Sequence, residues 1–272
     1  MKKYIIYTCA FLALVASSCR KESSLNPVSV NAVDFASSFS TPERIKAQVL
    51  GIYSGLKAGQ LYGGRYVVYN EVRGDNYINL TTNAVTAYQV WNHTSSNNDQ
   101  EVTGPWAAAY SVINRCNLFI DGMEAGGSAT VGSALAANYI GEAKLVRAIA
   151  YYSLLQLYAR PYWDGNGNKP GLPLRLKGNA VAANYDLARS SVDDVYKQII
   201  ADFKSAETNL LPAKDPKAGE VGRVNRSVAK GFLAKTYMTM ASGAATGNVS
   251  VRGAADNGMY TYAKTVVAGL EN

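Results

Sequence analysis

Apolar and small residues recur along most of this chain at intervals of three, four and seven, the spacing that lines one face of an α-helix. The longest such stretch lies between Gly141 and Leu174. Reading back from Tyr158, the residues Leu154, Ala150, Ala143, Ile140 and Leu135 form one continuous face, and nothing breaks the helix before Pro161. Ala143 and Ala150 admit a closely packed neighbour, while Tyr151, Tyr152 and Tyr158 supply contact area. The spacing therefore predicts a core helix whose aromatic run serves packing.

Other helices follow from the same period and from their caps. Thr41 caps a first helix, with Pro42 and Glu43 suited to its first turn and Ile45, Val49, Ile52, Tyr53 and Leu56 as its buried stripe. A short segment is predicted from Tyr66 to Val72. Pro105 is expected to open a helix carrying Trp106, Tyr110, Ile113, Asn117 and Ile120, which ends near Gly122 and the Gly126–Gly127 pair. The core helix then packs back on it, making an antiparallel pair. Downstream, Ser190, Ser191, Asp193 and Asp194 form a capping box ahead of Val195, Ile199, Phe203, Ala206 and Leu210, with Pro212 as the stop. Asn225 caps a partner bearing Val228, Phe232, Leu233, Tyr237 and Met240, and a last helix is predicted from about Gly258 to Gly269.

No alternating apolar runs with hairpin turns are present, so the fold class is all-α. Ala148 with Tyr152, and Ala229 with Leu233, repeat the small and large residues four apart seen in second helices of tetratricopeptide repeats. The two alanines are 81 residues apart, so there is no fixed period. The expectation is tetratricopeptide-like antiparallel helix pairs with long irregular loops.

The N-terminus changes the picture of where the chain works. Lys2 and Lys3, an apolar run from Tyr4 to Val15, and small residues before Cys19 read as a lipoprotein signal peptide over 1–18. Cys19 would then carry acyl chains such as palmitate, several of which anchor stably where one would not; the alternative is ordinary secretion with Cys19 a bystander. Residues 19–40 read as a lipidated tether and 41–272 as the helical domain. Cys9 leaves with the leader, so Cys116, set in an apolar pattern, stands alone as a buried thiol. Without Lys2 and Lys3 there remain 25 basic residues against 20 acidic ones, and no basic run exceeds two residues. That excludes an electrostatic footprint for nucleic acid.

Enzyme chemistry finds few materials. The chain has one histidine, His93, and lacks Gly-x-Ser-x-Gly, His-Glu-x-x-His and Cys-x-x-Cys, so nothing calls for a cofactor or a catalytic metal. Paired carboxylates for glycoside cleavage stay open, because their separation is a three-dimensional matter. Asp164-Gly165-Asn166-Gly167-Asn168 begins like a calcium loop, but Lys169 replaces its glycine and Arg175 its final glutamate. The least regular stretch, Gly74 to Gly104, is polar and rich in aromatics, a composition more typical of functional loops than of structural ones.

Read together, these landmarks resemble the SusD/RagB family of outer-membrane nutrient-binding lipoproteins. The resemblance is carried by the lipobox cysteine, Thr41-Pro42-Glu43 with Gly51-Ile52-Tyr53, Glu71 with Arg73, Asp75 and Asn76, and Trp106, Tyr110, Ile113 and Asn117. It continues through Glu142-Ala143-Lys144, Arg147-Ala148, Tyr151-Tyr152, Pro173-Leu174, Arg189-Ser190-Ser191-Val192, Asp202-Phe203 and Gly222-Arg223. It implies helix pairs that dock on a SusC-like TonB-dependent transporter, and loops that capture a polysaccharide or oligosaccharide at the cell surface. It also implies a longer chain: this one matches the N-terminal half of the family fold, as a truncated sequence or a naturally short member. A sugar offers an apolar C–H face and a rim of hydroxyls. Trp91 with Tyr88 is the candidate platform, and Asp75, Asn76, Arg73 and Asn92 are the candidate hydroxyl partners. The competing reading makes Arg73 and Asp75 structural and packs Trp91 on its own loop. Rival functions are the same scaffold binding a peptide or another nutrient, and a non-binding structural partner of the transporter.

Overall fold

The computed structural model describes residues 35–74, 77–179, 186–212 and 222–241. The leader over 1–18, Cys19, most of the tether, Asp75, Asn76 and the helix expected between Gly258 and Gly269 lie outside the described residues. Those from Ser38 onward belong to one compact unit. Its elements are α1 (Pro42–Leu56), α2 (Arg65–Val72), the single turn α3 (Tyr88–Trp91), α4 (Gln100–Gly122), the turn α5 (Ser128–Val131), α6 (Ser133–Tyr158), α7 (Val192–Asn209) and α8 (Arg226–Ala241). Among the described residues there is no strand, only an isolated bridge between Pro170 and Ser191. None of the described helices is long and apolar enough to cross a membrane. The all-α expectation holds.

The caps act as their residue types dictate. The Thr41 hydroxyl accepts from the Arg44 amide at 3.3 Å, Ser191 Oγ accepts from the Asp194 amide at 3.0 Å, and Asn225 Oδ1 accepts from the amides of Ser227 and Val228. Each satisfies a donor that the first turn leaves unpaired. The core already takes in Phe39, whose ring packs on Phe119 at 5.9 Å.

Cross-links between helices fix their directions. Tyr158 meets Val102 and Arg147 meets Asn117, so α6 runs antiparallel to α4. Asn138 meets Leu211 and Arg147 meets Asp202, so α7 runs antiparallel to α6. The amide of Arg226 donates to the Leu211 carbonyl while Phe203 stacks on Phe232, which sets α8 back along α7. These are the helix pairs that the sequence implied.

Two expectations change. The helix assigned to Pro105 begins at Gln100, with Pro105 inside it. Only the bond its missing N–H would make to Glu101 is forgone, and the turn ahead of it is held from outside, the Tyr158 hydroxyl donating to the Val102 carbonyl at 2.6 Å. The core helix, in turn, does not bury one face. From Gly141 to Leu155 every residue except Lys144 is buried, whereas Leu135 is 39% exposed and Ile140 only half-buried. A helix enclosed by α1, α4, α7 and α8 has no solvent side over these turns, and burying each of Leu145, Leu154 and Tyr151 contributes about 1.5–3 kcal/mol.

Such enclosure traps polar groups, and they are paired. Arg147 donates to both Asp202 oxygens at 2.8 Å and to Asn117 Oδ1 at 2.7 Å. Glu142 accepts from Tyr53 at 2.5 Å, from Asn138 at 2.7 Å and from the Arg223 guanidinium. Cys116 is wholly buried, and burial pushes its thiol up to about 12.

Candidate functional site

The polar stretch after α2 is more ordered than its composition suggested. In α2 the helical period turns Tyr66, Tyr69 and Val72 inward and leaves Val67 and Val68 exposed. Asn79 then organises the return of the chain: its amide donates to the Thr86 carbonyl at 2.8 Å and its oxygen accepts from the Thr81 amide at 3.0 Å. Asn83 caps a 3₁₀ turn over Ala84–Thr86. Ala87, at φ 57°, redirects the backbone into α3 and lies wholly buried. It joins Tyr69, Val72 and Val90 in a small second core, with Trp91 packed against it.

Tyr88 and Trp91 are therefore brought together, their ring centroids 5.6 Å apart and tilted at 45°. Trp91 is also a strut, because its indole N–H donates to the Tyr77 carbonyl at 2.9 Å. Asn92 turns back on its own loop, its Oδ1 accepting from the amide and hydroxyl of Thr94. Arg73 donates to Asn70 Oδ1 at 2.7 Å and borders an open groove.

That groove, about 270 Å³, forms where α2, the loop, the start of α4 and the end of α6 converge. Tyr69, Arg73, His93, Ser95, Glu101 and Tyr158 line it. Burial pushes the Tyr158 phenol up to about 12, so it stays protonated and its donation to Val102 persists at neutral pH. Burial raises Tyr69 as well. The result is two phenol rings beside one cation, one carboxylate and small hydrogen-bonding groups.

A larger cavity, of about 400 Å³, is lined from α4 by Trp106, Tyr110, Ile113 and Asn114. Its wall includes Trp106, whose ring meets that of Tyr158, a residue of the smaller groove, at 5.1 Å and near a right angle. The sequence pattern places Trp106 and Tyr110 on one helix but does not connect Tyr69, Glu101 and Tyr158 with Arg73. The legible signal was an aromatic pair one helical turn apart followed by the polar Asn114. The Asp164 loop, by contrast, spends its carboxylate on Arg160 at 2.7 Å, and the described residues contain no cluster of metal-binding side chains.

Comparison with known proteins locates this scaffold. The SusD-like family model described as "Starch-binding associating with outer membrane" matches residues 29–238. A SusD-like protein of Bacteroides ovatus is 31% identical over 163 residues, 60% of this chain and 25% of the relative. A solved SusD superfamily protein of Bacteroides fragilis superposes with a TM-score of 0.71 at 30% identity, over 85% of this chain and 50% of that one. A laminarin-binding SusD-like protein shares the fold at a TM-score of 0.59 and 18% identity, over 75% of this chain and 42% of that one. The chain thus spans half or less of the length of these relatives. With the family pattern matched across most of its residues and the helix pairs superposing on solved members, this chain belongs to the SusD-like family.

Proposed function

We propose that this protein captures glycans at the cell surface of a bacterium and delivers them to a SusC-like TonB-dependent outer-membrane transporter. Lipid on Cys19 would hold it on the outer membrane, facing the exterior. The observation that carries the reading is the groove that Arg73 borders, whose lining includes neither Tyr88 nor Trp91. The partly exposed Tyr158 ring suits the apolar face of a sugar, while Arg73, Glu101, His93 and Ser95 suit its hydroxyls. Family membership and the laminarin-binding relative point the same way. Among the described residues a single carboxylate, Glu101, lines the groove, whereas glycoside hydrolysis uses a pair, which favours binding without cleavage.

The hydrogen bond from Trp91 to Tyr77 favours a second reading for that one residue, as a support of the loop rather than a platform. Affinity electrophoresis through gels containing laminarin, starch and other plant, microbial and host polysaccharides tests both. We expect one polysaccharide to retard the wild type and to retard Arg73→Ala less. Equal loss in Trp91→Ala with unchanged thermal stability makes Trp91 a platform; loss accompanied by a lower Tm makes it a strut. A folded protein retarded in no gel refutes glycan capture.

A further inference from the structure

We propose that a glycine-walled socket at the end of α4 is the attachment point of the N-terminal strap, the place where the helical domain grips the segment that leads back to Cys19; the inference rests on the membrane-anchor reading above. Ser38, Phe39 and Ser40 have the composition of the tether, yet they belong to the compact unit. Phe39 is 8% exposed and stands two residues ahead of Thr41, the cap of α1. Its ring enters the core beside Phe119, and its carbonyl accepts from Thr130 Oγ1 of α5 at 3.0 Å. One residue is therefore held by two elements, by one through its ring and by the other through its backbone.

The local sequence shapes the socket to that ring. α4 ends at Gly122 and passes into a single π turn over Met123–Gly127. In an α-helix, residues five apart point about 140° away from each other. The wider π turn brings the fifth residue round to nearly the same side. Gly122 and Gly127 both face Phe39 as a result: a Cβ on Gly122 would overlap the ring, and one on Gly127 would lie 2.9 Å from it. Gly126 lets the turn close at φ 152°, a conformation that side chains disfavour. The glycines that end α4 thus also make room for a residue some 80 positions earlier in the chain.

The consequence is mechanical. A helix gripped only by its own first turn opens from the end, because terminal turns are the least stable part of a fold. Phe39 places a buried ring between the strap and α1, so a pull from the N-terminal side meets the socket before it reaches the bond between Thr41 and the Arg44 amide. Phe39 lies 20 residues beyond Cys19, and covalent geometry limits such a stretch to about 70 Å. With lipid on Cys19, the socket therefore also sets how far from the membrane α1 can begin, and its loss would lengthen the strap at the expense of α1.

Limited trypsin digestion of the detergent-solubilised full chain, followed by mass spectrometry, tests this at the bond after Arg44, an exposed residue in the first turn of α1. We expect Phe39→Ala to speed that cut about tenfold or more, since cleavage tracks the locally open population. Cuts after Lys204 in α7 and Lys235 in α8 should keep their wild-type rates. Phe39→Leu should lie between the two. Gly122→Ala, whose added methyl group excludes the ring, should speed the cut on its own and add little to Phe39→Ala. An unchanged rate after Arg44 in Phe39→Ala, or an equal rise at all three sites, overturns the proposal. Incorporation of labelled fatty acid separates the two readings. If the wild type takes up label and Cys19→Ala does not, while Phe39→Ala leaves the Arg44 cut unchanged, the attachment point alone is refuted. If the wild type takes up no label, the membrane anchor is refuted and the role of the strap with it.

Discussion

Removing one partner of the Arg147–Asp202 pair should cost more stability than almost any other single polar substitution in this protein. The two side chains are 7% and 4% exposed and are joined by two bonds of 2.8 Å, with Gln198 adding a third contact to Asp202 at 3.1 Å. Arg147→Met leaves a carboxylate facing a dry interior and deprives Asn117 Oδ1 of its donor. Breaking a buried pair in this way costs about 3–5 kcal/mol, whereas replacing both partners by apolar residues is often close to neutral. The double variant Arg147→Met/Asp202→Leu should therefore unfold within about 1 kcal/mol of the wild type, though each single variant is several kcal/mol weaker. Urea unfolding followed by circular dichroism at pH 7 gives the three differences by linear extrapolation. A single variant that loses less than about 1 kcal/mol, or a double variant that loses the sum of the two, would refute the reasoning.

Three further outcomes are expected. Burial holds the Glu142 carboxyl above the usual 4.5, outweighing Arg223, Tyr53 and Asn138, which lower it. The folded state therefore keeps this proton at a pH where the unfolded chain has lost it, so the group's contribution to stability is full below the unfolded value and declines as pH rises through the folded one. Urea midpoints measured from pH 4 upward should show that decline in the wild type and not in Glu142→Gln. Cys116, with its thiol pushed up to about 12 and wholly buried, should resist a thiol reagent at pH 8 in the native protein and react within minutes in urea; rapid native labelling would contradict the burial. Gly167 sits at φ 79°, where a Cβ would come within 2.8 Å of both Asp193 Cβ and the Tyr162 ring. Gly167→Ala should accordingly lower stability by about 2 kcal/mol or more, read as a drop in Tm, and an unchanged Tm would show that this turn relaxes freely.

Helix positions and caps were legible in the sequence because both are local. Thr41, Ser191 and Asn225 each bond a backbone amide within three residues of themselves, and the 3.6 period of Ile45, Val49 and Ile52 needs only one neighbouring surface to bury it. The buried Cys116 and the family landmarks were equally readable. The candidate site was less so. Arg73, Tyr88, Trp91 and Asn92 were picked by composition, and the structure joins Tyr88 to Trp91, turns Asn92 onto Thr94 and brings Arg73 to a groove with Glu101 and Tyr158. Those partners lie 28 and 85 residues away in sequence from Arg73, and no periodicity links them.

Local signals misled where tertiary contact outweighed them. Proline marks a helix start in isolation, yet Tyr158, anchored from α6, holds the turn before Pro105 in helical form. An amphipathic face implies one buried side, yet from Gly141 to Leu155 the four neighbours of α6 leave it no solvent side. What the sequence by itself determined, then, was the set of helices and their kinship, since hydrogen bonds within a turn and burial against any partner suffice for those. What only the tertiary structure decided was which side chains meet across α2, α4 and α6, because cavity walls are made by distant residues packing against one another.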